Sequence, residues 1–231
     1  MKRKFLNARS PLRLLEKGLH GGLGPGNVGV VIAGRGVGKK SFLVGVAIDE
    51  LLRGGRVLHV CVDHSLDHVR AHYDTVFEDL AATTHLEDEA VVHAEIDRLR
   101  SIRVIPPNQL SASKLRDAVK LEVDAGAKPS LIVLEGIDCS SMPVDDIADL
   151  KALAEELAAE IWLPGEADEG DVSDVPESIE AFGKQVSVIL ALSPQPESDN
   201  VKLRALKDHD NPDLENLHVA LDPHTLLLVR S

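Results

Sequence analysis

Short apolar, β-branched runs alternate along the chain with longer stretches whose apolar residues recur at helical spacing. Residues 27–33 (NVGVVIA) form the first run, and Gly34 follows directly, as expected where a buried parallel strand gives way to a loop. Residues 41–52 place Phe42, Val46, Ile48, Leu51 and Leu52 at mixed helical spacing, and Gly54-Gly55 ends that helix. Further strands are predicted at 56–62 (RVLHVCV), 102–105, 131–134 and 186–192. Further helices are predicted at 65–80, with Ser65 as N-cap, and at 86–100, 113–125 and 144–162. This alternation predicts a mostly parallel central sheet with helices on both faces. The tail reads differently. Strand-like pieces at 201–206, 217–221 and 225–229, with an Asp222-Pro223-His224 turn, predict a C-terminal antiparallel β-hairpin at one edge.

One segment breaks the pattern. Residues 164–177 (PGEADEGDVSDVPE) are acidic and carry no apolar period, so a flexible surface loop is expected there. A lid or docking segment is the functional alternative. The length of 231 residues fits a single α/β domain spanning 1–231. Aromatic residues make up only 3%, so the core must be built from Leu, Val, Ile and Ala. The net charge of −13 repels phosphate backbones and argues against nucleic acid as a partner. The two cysteines, Cys61 and Cys139, make neither a disulfide framework nor a zinc pattern, and a reducing cytoplasm is the expected compartment. No apolar run approaches the roughly 20 residues of a membrane helix.

Chemistry concentrates in Ala33-Gly34-Arg35-Gly36-Val37-Gly38-Lys39-Lys40-Ser41, between a predicted strand and a predicted helix. Glycines let a backbone fold tightly and present N–H groups inward, the following helix adds its positive end, and a lysine reaches outer phosphates. Gly34, Arg35, Gly36, Val37, Gly38, Lys39, Lys40 and Ser41 are therefore candidates to bind a nucleoside triphosphate. Two registers are open. With Lys39 as the phosphate-reaching lysine, Gly38 precedes it correctly, but Lys40 stands where a Mg²⁺-ligating Ser or Thr is expected. With Lys40 in that role, Ser41 supplies the hydroxyl but Lys39 replaces a crowded glycine. The first register is preferred.

Leu19-His20-Gly21-Gly22-Leu23-Gly24-Pro25-Gly26, followed by an apolar strand and this loop, resembles the RecA/KaiC/RadA group of P-loop ATPases. The resemblance implies an α/β RecA-like P-loop NTPase fold, ATP and Mg²⁺ as cofactors, and a homo-oligomer with nucleotide at subunit interfaces. It also assigns roles. Asp63, after the second strand, stands where a water-polarising acid is found, with capping of the next helix as the alternative role. Glu135 closes the apolar run Leu131-Ile132-Val133-Leu134 as a Walker B acid does and, with Ser41, is the implied metal ligand. Ser193 or Gln195 would sense the γ-phosphate, and Lys207 would reach a neighbouring subunit's nucleotide, with His209 in the place of an arginine. The departures fall on hydrolytic parts. The expectation is a nucleotide-binding protein with slow or absent turnover and a regulatory or assembly role. An active ATPase motor or switch and a DNA recombination accessory protein are the alternatives.

Two further features are weighed. His64, His68 and His72 recur every four residues, which reads as a solvated helix face in preference to a metal site. Cys61 and Cys139 sit at or just beyond two strands expected to be neighbours, which would let them approach one another.

Overall fold

The computed structural model describes residues 10–167, 172–195, 197–215 and 217–231. Among them, one sheet runs in the order β3-β2-β4-β5-β1-β6-β7-β8-β9. The strands are β1 (Val28–Ala33), β2 (Val57–Cys61), β3 (Arg100–Val104), β4 (Leu131–Glu135), β5 (Glu160–Glu166), β6 (Val188–Gln195), β7 (Ser198–Asp208), β8 (Val219–Leu221) and β9 (Leu228–Arg230). All pairings from β3 across to β6 are parallel; β6-β7, β7-β8 and β8-β9 are antiparallel. The expected terminal hairpin is present as β8-β9, closed by Asp222 N–H donating to Leu227 O.

The helices are α1 (Leu12–Gly18), α2 (Lys39–Arg53), α3 (Leu66–Thr84), α4 (Glu89–Leu99), α5 (Ala112–Asp124), α6 (Val144–Leu157) and the short α7 (Glu177–Glu180). Helices α1 to α4 pack on one face of the sheet, α5 to α7 on the other. β1, β2 and β4 are buried at every position, which is why they read as continuous apolar runs without alternation. None of the helices is long and apolar enough to cross a membrane, among the described residues.

Three expectations are corrected. The helix predicted to run to Trp162 stops at Leu157, because Ala158 adopts a left-handed conformation (φ 48°) and turns the chain into β5. Residues 164–166, expected to begin an acidic loop, are the end of that central strand. Residues 168–171 of the acidic segment, and the basic N-terminal residues 1–5, lie outside the described residues. β5 runs between β1 and β4. Its Trp162 pairs in register with Gly29 of β1, where a Cβ would lie 2.7 Å from the indole, and it meets Phe42 of α2 edge-on at 5.4 Å. A glycine is therefore required where the sheet accommodates its largest side chain. Cys61 and Cys139, both unoxidised, belong to cores on opposite faces of the sheet, so the expected approach does not occur.

Candidate functional site

A cleft of about 560 Å³ opens at the carboxyl-terminal edge of the parallel strands, where open α/β sheets place their ligands. The glycine-rich loop after β1 and the start of α2 form one side. Asp63 beyond β2, Gly136 and Asp138 beyond β4, and Glu166 at the end of β5 form the other. The parallel register sets these carboxylates level with the loop, since Ala33 pairs with Glu166 and Cys61 pairs with Glu135.

The loop takes a conformation that only glycine supports without strain. Gly36 has φ 75° and Gly38, the N-cap of α2, has φ 117°. A Cβ on Gly38 would stand 2.4 Å from Leu221 Cδ2 of β8, while one on Gly36 would meet nothing. Among the described residues, no backbone N–H from Arg35 to Ser41 donates to a backbone or side-chain acceptor. Four of these, Gly38 to Ser41, are the usual orphan donors of a helix start; the remainder, Arg35 to Val37, come from the loop itself.

The two lysines have separate tasks. Lys39 Nζ folds back over the loop, donating to Ala33 O at 2.7 Å and Gly34 O at 3.1 Å, and pairs with Glu166 Oε1 at 3.1 Å. Lys40 Nζ reaches across the cleft to Glu135 Oε1 at 2.7 Å. The other oxygen of Glu135 accepts from His59 Nε2 at 2.8 Å, and His59 Nδ1 accepts from Tyr73 Oη at 3.1 Å. This tautomer follows from the partners, since a carboxylate can only accept. Burial raises the Tyr73 phenol far above its usual value, consistent with its role as donor. Burial alone would raise Glu135 as well, but the His59 hydrogen bond and the Lys40 ammonium outweigh it and hold the carboxyl down at about 2.

These contacts bear on the implied metal site. Ser41 is buried at the start of α2 and lines the cleft, as the second register requires. Glu135, however, has one oxygen paired with an ammonium and the other bonded to an imidazole, so a divalent ion at Ser41 and Glu135 does not fit this arrangement. Cys61 Sγ, Asp63 and Glu135 bring ligand atoms within 4.8 Å of one another. There too the fit is poor, because burial pushes the Cys61 thiol up to about 11 and its Sγ–H donates to Asp63 Oδ1 at 3.3 Å.

Asp63 is exposed on the cleft wall and does not cap α3; Ser65 does, accepting from His68 N–H. Gly136 (φ 77°) sits directly under Asp63, and a Cβ there would overlap its carboxylate. His64 lies before α3, and its ring is tilted against that of His68 with centroids 4.2 Å apart. His64 and His72 both line the cleft, and His72 lies in its wall near Lys40; burial and that ammonium depress it to about 4, and its buried Nε2 has no partner. Ser193 lies two residues beyond Ala191, the partner of Ile32, which puts it level with Gly34; it is 1% exposed and its hydroxyl is unpartnered. Among the described residues, the side chain of Gln195, two residues on, bonds only the nearby Ser193 and Pro194 carbonyls.

Lys207 is not brought to the cleft. It pairs with Ile189 near the start of β6, at the opposite end of the sheet, and donates to Gly183 O and Val186 O, each at 2.6 Å. His209 is likewise used within the chain, donating to Leu23 O. The glycine-rich lead-in 19–26 is at that same far end, tied to β5 by Gly24 N–H donating to Glu160 and Gly26 N–H donating to Ala159 O. The sequence reading passed over Glu166, His59, Tyr73 and Asp138. Asp138 joins the ends of β4 and β5 by accepting from Glu166 N–H. A buried polar residue inside the apolar run RVLHVCV was the available sign for His59.

No protein-family model matches this chain, and no curated protein sequence matches it.

Proposed function

We propose that this chain binds a nucleoside triphosphate in the cleft after β1, as a RecA/KaiC/RadA-like P-loop protein that turns its nucleotide over slowly or not at all. One observation carries the reading. The loop from Arg35 to Lys39 holds its N–H groups without acceptors beside two lysines, and two of its residues need positive φ. Such a run of unsatisfied donors next to a helix N-terminus is what a chain of anionic oxygens fills. The place of the loop at the carboxyl-terminal edge of the parallel strands supports the same reading. So does Ser193, whose buried hydroxyl is unpartnered beside the loop.

Slow turnover follows from the other half of the cleft. Glu135, the acid placed to organise a metal, is instead held by the Lys40 ammonium on one oxygen and by His59 on the other. Asp63 lines the cleft one methylene short of a glutamate, His72 is a weak base with its Nε2 buried, and Lys207 is at the far end of the sheet. A binding protein whose ligand state alters partner contacts needs the cradle and not the hydrolytic set.

Calorimetric titration with ATP and with ADP tests this. Wild-type protein is expected to bind ATP, and Lys39→Ala to weaken it at least about tenfold, the loss of one charge-assisted contact. No binding of either nucleotide, or ATP hydrolysis at tens of turnovers per second, overturns the reading.

A further inference from the structure

We infer that Lys40 takes the place of the divalent cation, so that this cleft binds a triphosphate equally well without Mg²⁺. The inference rests on the phosphate-binding reading above and goes beyond it.

Lys39 and Lys40 are the first two residues of α2, so both ammonium groups start from the rim of the loop. They diverge: Lys39 returns to the loop carbonyls, and Lys40 crosses to Glu135. A metal bound at Glu135 would have to displace that ammonium from Oε1, then stand beside it as a like charge. Nor can Glu135 offer its second oxygen, which His59 holds from within the core. His59 is fully buried and backed by the equally buried Tyr73, so this side of the carboxylate is fixed.

The same arrangement leaves a cation in the right place. The Lys40 stem is partly exposed (23%) and lines the cleft, while its Nζ is buried in the cleft wall against Glu135 (6%). An ammonium carries three N–H donors, and the ion pair with Glu135 leaves at least two of them without an acceptor. The others are available to phosphate oxygens, where they neutralise charge as a metal does but without a hydroxyl or water shell. A second observation lies on the same wall. The His72 ring is neutral, and its Nε2 is buried and unpartnered next to Lys40. It adds no competing positive charge to the wall behind Lys40.

The test is calorimetric titration of ATP in excess EDTA and in excess MgCl₂, on wild type, Lys40→Arg and Lys40→Thr, each checked for folding by its far-UV circular dichroism melt. Wild type is expected to bind with dissociation constants within about threefold in the two buffers, and Lys40→Arg to keep that independence. Lys40→Thr removes the ammonium and restores a hydroxyl beside Glu135. It is expected to bind at least about tenfold more weakly in EDTA and to regain affinity in Mg²⁺. Wild type that binds at least tenfold more tightly in Mg²⁺ overturns the inference while leaving phosphate binding standing. So does a folded Lys40→Thr protein that matches wild type in EDTA. Absence of ATP binding in either buffer overturns both readings together.

Discussion

Lys40 Nζ lies 2.7 Å from Glu135 Oε1, while His59 Nε2 holds the other oxygen of the same carboxylate at 2.8 Å. Two positions that a family resemblance assigns to a hydroxyl and a metal-ligating acid thus form an ion pair instead. This relationship joins the start of α2 to the end of β4 and ties the chemistry of the cleft to the stability of the sheet.

The pair makes a pH prediction. Glu135 has its carboxyl depressed from 4.5 to about 2 on folding. A depressed acid stabilises the fold above its unfolded value, and that stability is lost as pH falls from 4.5 through 2. The pH-dependent part is on the order of 3 kcal/mol. Urea unfolding of wild type and Glu135→Gln is therefore expected to show a large gap at neutral pH that narrows through this acid window. A constant gap would contradict the assignment.

Glu160, at the base of β5, behaves in the opposite sense. Burial foremost, then the charge of Glu50, raises its carboxyl to about 7, although Gly24 N–H donates to it. A raised acid contributes stability that is complete at low pH and is lost as pH rises through the folded value. Stability is expected to fall by on the order of 2 kcal/mol from mildly acid to mildly alkaline solution, and Glu160→Gln to flatten that slope. The same denaturation series, extended upward in pH, reads it.

Gly29 and Trp162 are expected to be coupled. Gly29→Ala drives a methyl into the indole, which overpacking penalises by about 1–3 kcal/mol. Trp162→Leu opens a void beneath Phe42 at a cost of roughly 3 kcal/mol. The double variant is expected to lose less than the sum of the two, as contacting residues do. Strict additivity in thermal or urea unfolding would contradict the packing described.

Much of this fold was legible because burial leaves a plain mark. Strands such as Leu131–Glu135 are apolar throughout, and the loop glycines announce a tight turn. β5 was missed because its sequence carries no such mark. Ala158 ends α6 in a left-handed conformation that glycine usually signals, so the apolar period seemed to run on to Trp162. Pro164 and Gly165 then looked like the start of a loop, although both are buried in the sheet. Missing β5 also hid Glu166, and with it the partner of Lys39. The Lys40–Glu135 pair could not be read at all, since it joins residues 95 positions apart whose encounter depends on the strand order.

Gly38→Ala tests the loop by sterics. The added methyl is strained by φ 117° and meets Leu221 at 2.4 Å, so it must displace either the loop or β8. A loss of about 1–3 kcal/mol is expected together with loss of ATP binding, whereas Gly36→Ala, which meets no neighbour, is expected to keep more of its packing and suffer mainly backbone strain. Equal stability of the two variants would contradict the contact with β8.

The most direct test of phosphate binding is the backbone amide spectrum of the ¹⁵N-labelled protein during titration with ATP. The amides from Arg35 to Ser41, which have no acceptor in the structure, are expected to shift downfield together and to saturate with the calorimetric affinity, because each gains an anionic oxygen. Amides at the far end of the sheet, around Gly24 and Lys207, should stay in place. Saturation that leaves the Arg35 to Ser41 signals unmoved would contradict the account.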